Sequence, residues 1–215
     1  MQTPLERQIH SAAAVLELSP VIPVVVVDDV ASAVPLARAL LHGGVPVIEI
    51  TLRSAAGVDS IRAVAAEVEG MVVGAGTVLT AEQAAAATAA GAQFLVTPGS
   101  PSRLLDAVLE TGVPLLAGAG TLTEMLTLAE RGLEVMKFFP AEASGGRSYL
   151  SAVFGPCPRL RFCPTGGITA ANVAGYLALP NVRCVGGSWL TPKDALAAGD
   201  WSRIEVLAAE AAQLR

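Results

Sequence analysis

The chain has 215 residues, of which 53% are apolar and only 15% charged, so one large core beneath a thin polar surface is the simplest reading. A formal net charge of -5 without any cluster of Lys and Arg removes the electrostatic basis for gripping a nucleic-acid backbone. Apolar runs such as residues 21–27 and 113–117 are far shorter than the roughly 20 residues of a membrane helix, and the first ten residues carry charges in place of a signal-peptide core, so a cytoplasmic protein acting on small molecules is expected.

In chain order, residues 3–18 read as an extra N-terminal helix that can close one end of the core. The first strand spans residues 21–27 and ends on Asp28 and Asp29. From there glycines punctuate the chain just before each apolar run: Gly44 before 45–50, Gly70 before 71–73, Gly91 before 94–96, Gly112 before 113–116 and Gly132 before 135–138. Each follows an Ala-, Leu- and Glu-rich stretch and reads as the left-handed residue that ends a helix. Thr80 with Glu82, Ser100 before Pro101, and Thr123 with Glu124 mark helix starts. Strands at 161–164 and 182–187 bring the number to eight, and residues 201–215 form a closing helix.

These runs are continuous and β-branched instead of alternating, the pattern of parallel strands covered on both faces. The expectation is one (β/α)8 TIM barrel over residues 1–215 with an extra N-terminal helix. An open doubly wound sheet is the alternative, but GxGxxG with a following acidic residue is absent; Gly74-Ala75-Gly76 and Gly118-Ala119-Gly120 share only GxG with it.

Active sites of this fold lie at the C-terminal strand ends, so polar residues there are the candidates. In the second strand a period of two places Glu49 and Arg53 on one face, as a functional set or a structural ion pair. Thr77 follows the small residues Gly74-Ala75-Gly76, where a ligand can approach the backbone; it can equally begin a helix. Lys137 carries more information. The chain has twelve arginines and two lysines, and one lysine sits inside the apolar strand Val135-Met136-Lys137-Phe138-Phe139. Burying an ammonium is costly, and an amine held away from water is how lysine serves as a nucleophile; a salt bridge to Glu49 is the structural alternative. Gly166-Gly167 and Gly186-Gly187-Ser188 close strands seven and eight, where exposed backbone N–H groups beside a helix N-terminus hold anions in such barrels.

Three cysteines, Cys157, Cys163 and Cys184, lack CxxC spacing and fit reduced thiols. The only imidazoles, His10 and His42, neighbour no HxH or HExxH pattern, so neither a metal nor a cofactor is expected.

With these residues in hand, the chain closely resembles the 2-keto-3-deoxy-6-phosphogluconate (KDPG) and 4-hydroxy-2-oxoglutarate aldolases. The resemblance rests on Val21-Ile22-Pro23-Val24, Glu49-Ile50-Thr51-Leu52-Arg53, Val73-Gly74-Ala75-Gly76-Thr77-Val78-Leu79, Lys137-Phe138-Phe139-Pro140-Ala141-Glu142, Phe162-Cys163-Pro164-Thr165-Gly166-Gly167-Ile168 and Gly186-Gly187-Ser188-Trp189-Leu190. It implies that Lys137 forms an imine with a 2-keto acid while Glu49 moves protons. It further implies that Arg53 and Thr77 bind the carboxylate, that Thr165 contacts the hydroxyl region, and that Gly166, Gly167, Gly187 and Ser188 hold a distal phosphate. Assembly as a homotrimer is implied as well. The chain departs from that pattern at Asp28 and Asp29, where many relatives place a basic residue, and at Ala117, where relatives usually have proline. A phosphosugar epimerase or isomerase barrel without a covalent step, and a non-catalytic barrel that binds phosphorylated metabolites, are the competing readings.

Overall fold

The computed structural model describes residues 11–214. Eight strands alternate with helices: β1 (Val21–Val25), β2 (Val47–Thr51), β3 (Val72–Gly76), β4 (Phe94–Val96), β5 (Leu115–Ala119), β6 (Val135–Phe138), β7 (Arg161–Pro164) and β8 (Val185–Gly187). All pairings are parallel and the order is β7-β6-β5-β4-β3-β2-β1-β8. Bridges from Phe162 to Val182 and from Thr165 to Gly186 join β7 to β8 and close the ring. A doubly wound sheet would reverse its strand order in the middle. Here the order is sequential and β1 pairs with β8, as a barrel requires.

The helices on the outer wall are α2 (Ala33–His42), α3 (Gly57–Glu67), α4 (Ala81–Ala89), α5 (Ser102–Glu110), α6 (Leu122–Glu130), α7 (Gly146–Phe154) and α8 (Val173–Leu177). Their inward faces recur at three- and four-residue spacing, as in Leu36 and Leu40, Ile61 and Val64, or Leu105 and Val108, all of them buried. Each such side chain contributes about 1.5–3 kcal/mol through burial. The five punctuating glycines have φ between 71° and 95°, so each does turn the chain from a helix into the next strand.

Two helix starts differ from expectation. Thr121, not Thr123, caps α6: it stands three residues before Glu124, and the two form a reciprocal capping box. Hydrogen bonds led by the one from Gly120 N–H hold the Glu124 carboxyl below the usual carboxylate range. Pro101, not Ser100, precedes α5; the Ser100 hydroxyl instead donates to the carbonyl of Gly118 on β5, 3.0 Å away. Thr80 caps α4 as expected.

Before β1 the described part of the N-terminal helix is α1 (Ala12–Leu16), capped by Ser11 and anchored by buried Val15 and Leu16. The rest of the expected helix over 3–18 falls partly outside the described residues, as does His10. At the other end α9 (Lys193–Ala198) precedes α10 (Trp201–Ala212), and Gly199 in the left-handed region separates them. Arg215, the expected end of that last helix, lies outside the described residues. The α10 helix packs closely on the end of α2, where a Cβ on Gly43 would lie 2.5 Å from the Cβ of Ala208. Among the described residues Cys157, Cys163 and Cys184 form no disulfide, and no helix is long and apolar enough to cross a membrane.

Candidate active site

Strands β2 and β6 stand four places apart in the ring of eight, so their inward side chains meet across the lumen. Lys137, on β6 between Gly118 of β5 and Cys163 of β7, is 5% exposed. Glu49, on β2 between Val24 of β1 and Gly74 of β3, is 2% exposed. The Lys137 Nζ lies 3.1 Å from Glu49 Oε1 and 5.5 Å from the centre of the Phe139 ring. A buried ion pair repays little of its desolvation, so such a pair adds little stability over apolar residues. What it does supply is an amine and an acid, both buried, within proton-transfer distance.

Neighbouring glycines make the space for this pair. A Cβ on Gly76 would fall directly on the carboxylate of Glu49, and one on Gly74 would fall on the ring of Phe94. Phe94 therefore fills the barrel at the level of Gly74, and Glu49 fills it at Gly76. The Gly76→Ala variant is expected to fold, to push the carboxylate off Nζ, and to lose about 100-fold in kcat, the cost of misplacing a catalytic group by about 1 Å. Circular dichroism and steady-state kinetics check this, and an unchanged kcat would show that the close fit is immaterial.

The remaining candidates lie at the C-terminal strand ends. Thr77, just after β3, is half-buried and is the one non-glycine among the described residues with positive φ, at 57°. That conformation costs about 1–3 kcal/mol and is typical of functional sites. Arg53 is not on the strand. The β2 strand ends at Thr51, whose hydroxyl donates to Val25 O at 3.0 Å, and Arg53 stands exposed on the following turn. Strict alternation therefore does not reach Arg53, and among the described residues its guanidinium has no ion-pair partner.

Thr165, just past β7, is buried, and Gly186 leaves room for its hydroxyl, since a Cβ there would fall on Oγ1. Gly166 and Gly167 follow with φ of 100° and 80°. Their carbonyls are tied down, Gly166 O by Glu142 N–H at 3.1 Å and Gly167 O by Asn172 Nδ2 at 3.0 Å. The N–H groups of Gly167 and Ile168 meet no backbone acceptor among the described residues. With two carbonyls tied down, these two N–H groups are of the kind that can donate to an anion. Gly187 ends β8, and a Cβ on it would fall on the Trp189 ring. Ser188 follows, exposed.

Asp28 and Asp29 are exposed after β1; Asp29 accepts from Ala31 N–H at 3.0 Å and so caps a short 3-10 turn. Ala117 is buried on β5 beside Met136. Sequence reasoning passes over Phe139 and Gly76 as site residues. An aromatic two positions from a buried lysine was a readable signal for the first; only the three-dimensional contact could reveal the second.

Residues 12–207 match the protein-family model described as KDPG and KHG aldolase. The chain is 52% identical over 203 residues to the KHG/KDPG aldolase of Escherichia coli K12, covering 94% of this chain and 95% of that one. Its structure superposes on that of KDPG aldolase from Legionella pneumophila, which holds pyruvate captured as a covalent carbinolamine, with a TM-score of 0.91, 41% identity, and coverage of 93% and 97%. The Zymomonas mobilis ZM4 aldolase with 3-phosphoglycerate gives a TM-score of 0.89 at 40% identity, covering 94% and 95%.

Proposed function

The chain belongs to the KDPG and KHG aldolase family, and from that premise we propose that it is a Schiff-base aldolase cleaving 2-dehydro-3-deoxy-6-phosphogluconate (KDPG) to pyruvate and glyceraldehyde 3-phosphate. With 4-hydroxy-2-oxoglutarate the same cleavage gives pyruvate and glyoxylate. The observation that carries the reading is the buried amine of Lys137 at 3.1 Å from the carboxylate of Glu49.

A proton passing from Nζ to Oε1 frees the lone pair of Lys137 and loads the acid. The amine adds to the C2 carbonyl of the keto acid to form a carbinolamine. Glu49 then returns a proton to its hydroxyl, which leaves as water, and the protonated imine remains. As an anion again, Glu49 takes the proton of the C4 hydroxyl. The C3–C4 bond breaks, its electron pair moves into the C2–C3 bond and on to the imine nitrogen, and the aldehyde departs. Protonation of the enamine at C3 and addition of water at C2 release pyruvate and the free lysine. The imine is the electron sink, so no unstabilised carbanion forms.

Arg53 and Thr77 bind the substrate carboxylate and so aim C2 at the amine. Thr165 contacts the hydroxyl-bearing carbons. Gly166, Gly167, Gly187 and Ser188 receive the distal phosphate on backbone N–H groups and one hydroxyl. The homotrimer is retained as the assembly, and exposed Leu79, Leu126 and Val206 are apolar surface that copies of the chain can cover. Cysteines without disulfides and small anionic substrates suit a cytoplasmic setting.

The direct test is pyruvate release, followed by coupling to lactate dehydrogenase, with KDPG, its galacto epimer and 4-hydroxy-2-oxoglutarate side by side. KDPG and 4-hydroxy-2-oxoglutarate are expected to yield pyruvate. Silence with all three, in a preparation that is folded, would leave the epimerase or isomerase reading and the non-catalytic one.

A further inference from the structure

Against the Gly166-Gly167 loop stand two side chains that take no part in the chemistry above, Tyr176 and the exposed Glu142. Tyr176, on α8, is fully buried, and its phenol donates to Oε1 of Glu142. Burial first, then the bond to Glu142 and its charge, push the phenol well above its ordinary range, so it remains a donor. Two glycines make way for the pair. A Cβ on Gly146 would lie 3.0 Å from the phenol oxygen and 3.2 Å from Oε1, and one on Gly167 would lie 2.6 Å from Cγ of Glu142. Gly167 thus rests on the stem of Glu142. The main chain fixes the same spot, since Glu142 N–H holds Gly166 O, and Asn172, one turn before Tyr176, holds Gly167 O.

The arrangement sets a carboxylate next to a loop shaped for an anion. A carboxylate free to swing over Gly167 would repel a phosphate at short range. The exposed Arg147, packed over Gly175, is a nearby cation that acts on the same phenol. We propose that Tyr176 is a positioning residue: by tying the Glu142 carboxylate to its phenol and so restraining it from Gly167, it sets the selectivity of the site for a phosphorylated aldehyde half. This rests on the reading of Gly166 and Gly167 as the phosphate cradle. A short substrate such as 4-hydroxy-2-oxoglutarate ends one carbon beyond C4 and carries no phosphate for that loop to receive.

The test is steady-state kinetics with KDPG and with 4-hydroxy-2-oxoglutarate, plus inhibition of KDPG cleavage by inorganic phosphate. In Tyr176→Phe, KM for KDPG and the inhibition constant for phosphate are expected to rise about tenfold, or about 1.4 kcal/mol. The kcat for KDPG and both constants for the short substrate should stay within about twofold, because the imine machinery is untouched. Adding Glu142→Gln removes the charge and should restore phosphate binding to within about threefold. Glu142→Gln alone keeps the stem and an acceptor, and should bind phosphate at least as tightly as the wild type. Weaker phosphate binding in that variant would count against the proposal even where Tyr176→Phe fails to fold.

Equal loss with both substrates, no recovery in the double variant, or weaker phosphate binding in Glu142→Gln would each overturn the proposal. If phosphate competes with KDPG in the wild type while Tyr176→Phe changes neither constant, the cradle stands and the role of Tyr176 falls. If phosphate does not compete at all, the cradle reading itself falls, and this inference with it.

Discussion

Lys137→Arg is expected to give a folded barrel that releases pyruvate from KDPG at least about 10^4-fold more slowly than the wild type, the scale on which removing a covalent nucleophile acts. Arginine keeps the positive charge facing Glu49 but has no lone pair at neutral pH with which to attack a carbonyl. A purely electrostatic role for Lys137 therefore predicts substantial remaining activity, and a nucleophilic role predicts almost none. Borohydride makes the distinction covalent. Wild-type protein treated with pyruvate and borohydride should gain a three-carbon adduct on the peptide holding Lys137, and Lys137→Arg should gain nothing. Activity within about tenfold of wild type in the variant would place the chain among barrels that move protons without a covalent step. Lys137→Ala is a poorer probe, because it leaves Glu49 buried without its partner, a loss that costs about 3–5 kcal/mol of stability.

The barrel was legible because its punctuation is backbone chemistry. Gly44, Gly70, Gly91, Gly112 and Gly132 all adopt positive φ, a conformation that glycine alone adopts without penalty. Their spacing therefore reports the helix–strand repeat directly. Lys137 was legible for a similar reason, since an ammonium in an apolar strand conflicts with local pattern, and such conflicts gather at functional sites. Less was readable where several residues could do the same local job. Thr121 and Thr123 both precede Glu124, and only the three-residue spacing of the capping box separates them. Strand alternation points to Arg53 two residues beyond the point where β2 ends. Contacts between distant parts of the chain left no trace of their own. Glu142 and Tyr176 are 34 positions apart, and the need for glycine at Gly76 arises only from a side chain on the neighbouring strand.

Gly76 and Gly74 also bear on what the site demands of its surroundings. Both stand on β3 where the lumen is filled from elsewhere, by Glu49 and by Phe94. The inward face of β3 thus contributes almost no side chain, and its neighbours take the volume. A barrel interior is close-packed, so a carboxylate can be held at one height only if the next strand yields that height to it. The strained Thr77 comes immediately after this empty face, at the point where the chain leaves the barrel.

Glu49→Gln isolates the proton-moving step. The amide has nearly the shape of the carboxylate and its oxygen can still accept from Nζ, so the site above Gly76 stays filled and the barrel should fold normally. What is lost is the ability to take up a proton from the amine and from the C4 hydroxyl, and to return one to the carbinolamine. General acid–base catalysis is worth about 10^2- to 10^4-fold, so kcat for KDPG should fall by that factor while KM changes little. Because the amine remains, borohydride should still trap pyruvate on Lys137, more slowly than in the wild type. The two variants thus separate: removing the amine abolishes the adduct, while removing the acid only delays it. A structural ion pair would behave in the opposite way, with Glu49→Gln lowering the melting temperature and leaving kcat within about threefold of wild type. That outcome would take Glu49 out of the mechanism and require another group at the mouth to carry the C4 proton.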